Sequence, residues 1–228
     1  MSRLEQAKEH FRAGRLQQAV FACEACIREQ PSAEAYELLG SIAFSNGQYR
    51  KAESFFRQAE ALGMTSASLF YNLGTTYLQL EKYQEAVMSL RRALVGSPRS
   101  AMLWTSLGNA LRHLGRAEDA VATQRHAIEL EPNSPALYAN LALALESLGA
   151  VEEGISCLRH AITLEPSVDL FHNLGTLLLQ HGHDGEALEA LQKAVALDPT
   201  HKRARCNLGT ALRNVGRLEE AVHLFERL

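Results

Sequence analysis

Apolar side chains recur along the chain at spacings of three and four. Phe70, Leu73 and Tyr77 form one such stripe, and Trp104, Leu107 and Leu111 repeat it. That spacing places them on one face of an amphipathic helix. A second stripe follows the first, as in Ala86, Leu90, Ala93 and Leu94. Between the stripes stand Gly14, Gly47, Gly115, Gly149, Gly182 and Gly216. Glycine reaches the left-handed conformation that ends a helix without a Cβ penalty. The pattern predicts an all-α chain of helix–turn–helix units, with no strand and with Trp104, Tyr138 and Phe171 buried at helix-pair interfaces.

The units keep a fixed length. Asn72-Leu73-Gly74 returns as Ser106-Leu107-Gly108, Asn140-Leu141-Ala142, Asn173-Leu174-Gly175 and Asn207-Leu208-Gly209, at intervals of 34, 34, 33 and 34 residues. Pro31, Pro98, Pro132, Pro166 and Pro199 punctuate the ends, with Met64 standing once where proline is expected. The register divides the chain into repeats 1–32, 33–66, 67–100, 101–134, 135–167, 168–201 and 202–228, the last truncated. Small residues recur at internal position 8 (Gly40, Gly74, Gly108, Gly175, Gly209) and at position 20 (Ala19, Ala52, Ala86, Ala120, Ala187, Ala221). Such residues let two antiparallel helices approach closely.

An aromatic at position 4, Leu at 7, Gly or Ala at 8, Ala at 20, Ala at 27 and Pro at 32 resemble the tetratricopeptide repeat (TPR) family across the whole chain. Departures are single: Gln124 and Cys23 replace the bulky residue at 24, Gly154 replaces Ala at 20, and Glu81 replaces Gly at 15. An array whose stability sums over repeats and interfaces tolerates such lapses. The resemblance implies a right-handed superhelical solenoid, one TPR array over 1–228, with first helices lining a concave groove. It implies a protein-interaction scaffold that binds an extended peptide or partner segment there.

In that family, internal positions 2, 5, 6, 9, 12 and 13 face the groove. Position 6 carries Asn72, Ser106, Asn140, Asn173 and Asn207, and position 9 carries Thr75, Asn109, Leu143, Thr176 and Thr210. Tyr71, Gln79 and Arg112 complete the expected groove set, and Leu78, Leu143 and Leu179 add apolar contacts. Amides both donate and accept, which suits a peptide main chain. The Asn series resembles the asparagine ladder in the TPR arm of protein O-linked N-acetylglucosamine transferases. Asn is also common at position 6 across the family, where it bonds a neighbouring backbone or water, so both readings stay open. Position 5 reads Glu37, Tyr71, Thr105, Ala139, His172 and Cys206. With no Lys or Arg there, the carboxylate clamp of chaperone-binding members is not expected.

Charge and cysteines narrow the picture further. The chain has 228 residues, 23 Lys+Arg against 26 Asp+Glu, and a net charge of −3. A nucleic-acid partner would call for a strongly basic domain. No apolar run is long enough to cross a bilayer, so no membrane partner is expected. The charged N-terminus lacks a secretion signal, and the cytoplasm is the expected location. Cys23 and Cys26 lie within a helical pattern with no second pair to complete a zinc site. His181-Gly182-His183-Asp184 falls on a turn with no further ligand near in sequence. Lys202, Arg203 and Arg205 read as a solvated patch. Neither a cofactor, a metal nor a catalytic constellation is expected, and the chain is not read as an enzyme. Leu228 stands at internal position 27, before the second helix should end, and no polar capping helix follows. That keeps an alternative: the recognition arm of a larger glycosyltransferase, sulfotransferase or 2-oxoglutarate-dependent hydroxylase. It also predicts self-association through Val222, Leu224, Phe225 and Leu228, which belong to a helix left without a covering repeat.

Overall fold

A computed structural model describes residues 2–225 of the protein. The described residues hold fourteen helices and no strand. They fall into two compact units, Met1–Leu114 and Gly115–Leu228. The first unit contains α1 (Arg3–Arg12), α2 (Leu16–Glu29), α3 (Ala33–Ser45), α4 (Tyr49–Ala61), α5 (Ala67–Gln79), α6 (Tyr83–Gly96) and α7 (Ala101–His113). The second contains α8 (Ala117–Leu130), α9 (Pro135–Leu148), α10 (Val151–Leu164), α11 (Val168–Gln180), α12 (Asp184–Leu197), α13 (Lys202–Asn214) and α14 (Leu218–Phe225). The expected all-α architecture is the observed one.

The small residue at position 8 has a more specific use than close helix approach. A Cβ on Gly74 would sit 2.6 Å from Leu90 Cγ, and one on Gly175 would sit 2.5 Å from Leu191 Cγ. Gly40 faces Phe56, and Gly209 faces Phe225, in the same way. The glycine is a slot for the bulky side chain at position 24 of the second helix. Phe56, Leu90 and Leu191 fill those slots and are fully buried. In repeat 135–167 the two small residues trade places, with Ala142 at position 8 and Gly154 at position 20. A Cβ on Gly154 would lie 3.2 Å from the Ala142 carbonyl oxygen. That neighbour is backbone, so Gly154 itself keeps the crossing clear of a methyl.

Helix ends follow local chemistry. Ser32, Ser66, Ser100 and Ser167 each accept a hydrogen bond from the backbone amide three residues on, capping α3, α5, α7 and α11. Gly149 ends α9 with φ 83°. Glu81 takes the same place after α5 with φ 58°, and no other described non-glycine residue has a positive φ. Helix α4 ends on Leu62 and Gly63, the latter at φ 91°, which explains why Met64 can stand in place of proline.

Coverage of the aromatic at position 4 varies, and Phe70 is buried. Trp104, Tyr138 and Phe171 are half-buried rather than buried. The reason is polar: Trp104 Nε1 donates to the Pro98 carbonyl at 2.7 Å, and Tyr138 Oη donates to the Pro132 carbonyl at 3.0 Å. Each of these two rings clips the end of the preceding repeat and must reach its rim. Position 26 covers the exposed face. The Arg92 guanidinium lies 3.8 Å from the Phe70 ring centre, the His160 ring meets Tyr138 edge-on at 4.5 Å, and Lys193 sits 5.8 Å from Phe171.

Candidate functional site

Within each unit, first helices pack on second helices and on one another. The backbones of α3 and α5, α5 and α7, α9 and α11, and α11 and α13 approach within 8 Å, whereas successive second helices do not. Crowding on one side and spreading on the other makes the first-helix face of each unit the inner one. The residues expected to face a groove lie on these first helices.

The hydroxyls at position 9 are partly engaged. Thr75, Thr176 and Thr210 donate to the carbonyls of Tyr71, His172 and Cys206, at 3.1, 2.8 and 3.2 Å. At position 6, Ser106 donates to Met102 at 2.9 Å. These groups offer a ligand acceptor lone pairs rather than donors. The Asn series divides as well. In the first unit, the side-chain amide of Asn72 bonds no other described group, and in the second unit neither does that of Asn140. Asn207 Nδ2 instead donates to Thr176 Oγ1 at 2.8 Å and approaches His172 Nε2 at 3.3 Å, tying α13 to α11. Its carbonyl remains the end that can face a ligand. Tyr71 and Gln79 lie on α5 with Asn72; Asn109 and Arg112 lie on α7 with Ser106. Arg112 Nη2 lies 3.1 Å from His113 Nε2, and its buried Nε has no hydrogen-bond partner.

In the second unit the inner face opens into a small cleft between α9 and α11. Its floor is apolar: Ala139, Ala142, Leu143, Leu158 and Leu177. Its rim is polar: Glu146, His172, Asn173, Thr176 and Gln180. Leu143, His172, Asn173 and Thr176, which the sequence places at groove positions, meet here. Ala142, Leu158 and Leu177 stand at structural positions of the repeat, so the groove register alone does not include them. Leu143 is the legible signal, because position 9 is otherwise polar and here leaves a leucine 39% exposed. Burial and the neighbouring His201 push the His172 pKa below its ordinary 6.5, favouring the neutral imidazole. The two rings stand 5.3 Å apart.

Other candidate groups resolve into structural roles. His183 precedes α12 as its N-cap residue, and Asp184 accepts from Asn214 Nδ2 at 2.8 Å. Among the described residues, no three His, Cys, Asp or Glu side chains are arranged to hold a metal ion. Cys23 is buried, and desolvation, then Cys26 and Glu24, raises its thiol to about 11. It stays protonated and packs as a small apolar residue. Lys202 and Arg203 are exposed at the start of α13. No described helix is long and apolar enough to cross a membrane.

The model for the C-terminal TPR domain of cilia and flagella-associated protein 70 matches residues 2–197, and a tetratricopeptide repeat model matches 172–228. The chain belongs to the tetratricopeptide repeat family. Solved TPR structures agree on the fold. A thermophilic TPR protein from Thermus thermophilus is 23% identical, with a TM-score of 0.66, over 79% of this chain and 99% of that one. A TPR protein from Parabacteroides merdae is 16% identical, with a TM-score of 0.83, over 99% and 90%. YrrB, described as a TPR protein with an unusual peptide-binding site, is 26% identical, with a TM-score of 0.62, over 82% and 97%. Comparison with curated proteins finds no match. TPR proteins are generally non-catalytic scaffolds that bind protein partners, and no catalytic domain accompanies these matches.

Proposed function

We propose that this TPR chain binds an extended peptide or partner segment along the first-helix face. The observation that carries the reading is the α9–α11 cleft, where an apolar floor meets a rim of amide, hydroxyl and carboxylate groups. Side chains can enter the floor while main-chain groups bond the rim. The unpaired amides of Asn72 and Asn140 support the same reading, as does the peptide-binding description of YrrB. The resemblance to the asparagine ladder of O-linked N-acetylglucosamine transferase arms enters at the same level. Each amide bond contributes about 1 kcal/mol net. An extended ligand loses conformational entropy, so affinity tighter than about micromolar requires apolar anchors. No observation favours the enzyme-arm alternative.

Random-peptide display on the whole chain, followed by titration of the recovered peptides, tests the proposal. In an array carrying Asn72→Ala, Asn140→Ala, Asn173→Ala and Asn207→Ala, affinity should fall at least about tenfold while helicity persists. Unchanged affinity would leave the amides as a family habit and reject the ladder. A self-contact through α14 is a second proposal, supported by Val222, 57% exposed, and Phe225, 46% exposed. Leu224 is half-buried, and Leu228 lies outside the described residues. Sedimentation at rising concentration should show association that Val222→Asp removes; a strict monomer would reject it.

A further inference from the structure

The α9–α11 cleft has an electrostatic asymmetry. Glu146 is the only carboxylate or permanent cation among its lining residues, and it sits one helical turn beyond Leu143. It is half-buried, and its side chain makes no ion pair or hydrogen bond among the described residues. Several carboxylates placed between repeats are matched: Glu53 binds Lys82 at 2.7 Å, Glu60 binds Arg92 at 2.5 Å, and Glu153 binds Arg125 at 2.5 Å. Glu186 pairs with Arg159 in the same way. A partly desolvated carboxylate beside leucine side chains lacks the counter-charge that its neighbours in the fold have found. His172, across the rim, is held neutral by burial and by His201, so it supplies none. The residues flanking the floor, Asn173, Thr176 and Gln180, are all uncharged.

We infer that this cleft selects peptide segments in which a leucine-sized apolar residue lies within two positions of a lysine or arginine. The apolar side chain enters between Leu143 and Leu177, and the cation meets the Glu146 carboxylate. The spacing follows from geometry. Leu143 and Glu146 are separated by about 4.5 Å along α9, at about 1.5 Å per residue. An extended peptide advances about 3.3 Å per residue, so one or two steps bring the cation's flexible stem within reach. This inference rests on the reading of the first-helix face as a peptide groove, and it adds a sequence preference to contacts that would otherwise be main-chain only. A peptide carrying Asp or Glu at the cationic position would bring a like charge to Glu146, so discrimination comes from repulsion as well as attraction.

The test titrates the full chain with three short blocked peptides, read by calorimetry and by backbone amide NMR shifts over 139–180. They carry Leu-Ser-Lys, Leu-Ser-Glu or Ser-Ser-Lys at their centres. The expected order is Leu-Ser-Lys tightest, by at least about tenfold over each of the others at low salt. Glu146→Gln should erase the difference between Lys and Glu peptides, and Glu146→Lys should reverse it. Melting curves of both variants should match the parent. Binding at the cleft that ignores charge, or a preference unmoved by Glu146→Gln, would overturn the inference and leave the groove reading standing. If no peptide shifts any signal over 139–180, the inference and the groove reading of this cleft fall together.

Discussion

Repeats 67–100 and 135–167 share one register but solve it with different residues. At the crossing of their two helices, the first uses Gly74 with Ala86 and the second uses Ala142 with Gly154. At the turn, the first forces Glu81 into a left-handed conformation, whereas the second uses Gly149. Over the aromatic at position 4, the first lays Arg92 on Phe70 and the second sets His160 against Tyr138. In each case different residue types serve one position of the repeat. The inner face is different: Thr75 turns its hydroxyl back to its own helix, whereas Leu143 projects an apolar side chain into the cleft. Framework positions are constrained jointly by volume, whereas groove positions such as Thr75 and Leu143 fill no slot between the helices of a pair. The groove is therefore where function can vary.

Perturbations at these positions sharpen the contrast. The largest effect should come from Leu90→Ala, which empties the slot made by Gly74. It should lower stability by about 3–4 kcal/mol, measured by denaturant unfolding. A loss under about 1 kcal/mol would mean that the slot is not a tight contact. Tyr138→Ala should cost about 2–3 kcal/mol, less than a fully buried aromatic because the ring is half-exposed. Tyr138→Phe, which removes only the bond to Pro132, should cost about 0.5–1 kcal/mol.

Gly154→Ala places a Cβ 3.2 Å from the Ala142 carbonyl oxygen, so it should gain less than the ~1 kcal/mol that a helical Gly→Ala exchange otherwise gives. The full gain in denaturant unfolding would show that the crossing has room for a methyl. Glu81→Gly should stabilise by about 1 kcal/mol, since a non-glycine side chain carries a steric penalty at positive φ. The reverse change, Gly149→Glu, should destabilise by a similar amount.

The smallest effect concerns pH. Folding lowers the His172 pKa below 6.5, so the unfolded chain binds more protons just below that value. Stability should be full above about pH 6.5 and should decline as pH falls through the lowered pKa. His172→Asn should flatten that part of the profile in thermal melts, and an unchanged slope would assign it to another group.

Much of the fold was legible because it is written seven times. The 34-residue step, the glycine stops and the paired stripes each fix a helix boundary, and repetition corrects a local lapse such as Met64. Burial was less legible. Trp104 and Tyr138 look like core residues by type, but their polar edges reach proline carbonyls that only the stacking of repeats brings near. The Ser caps were present in the sequence as a serine closing most repeats, a signal masked by the proline close before it. At the candidate site, the register placed Asn173 and Thr176 on the inner face. It did not show that Thr hydroxyls turn back to the helix or that Asn207 is tied to Thr176 and His172. The first is a rotamer choice within one helix, and the second depends on side-chain distances across repeats. Leu143 stood out only because the other units made a polar residue the expectation.

The central claim is that framework and groove positions are separable, and Leu143→Thr tests it most directly. That change installs at position 9 the residue that repeats 67–100, 168–201 and 202–228 already carry. The measurement is its affinity for the Leu-Ser-Lys peptide, read beside its melting temperature. The account predicts a loss of at least about tenfold in affinity, about 1.4 kcal/mol, with melting unchanged. A variant that melts markedly lower, or one that binds the peptide as tightly as the parent, would contradict it.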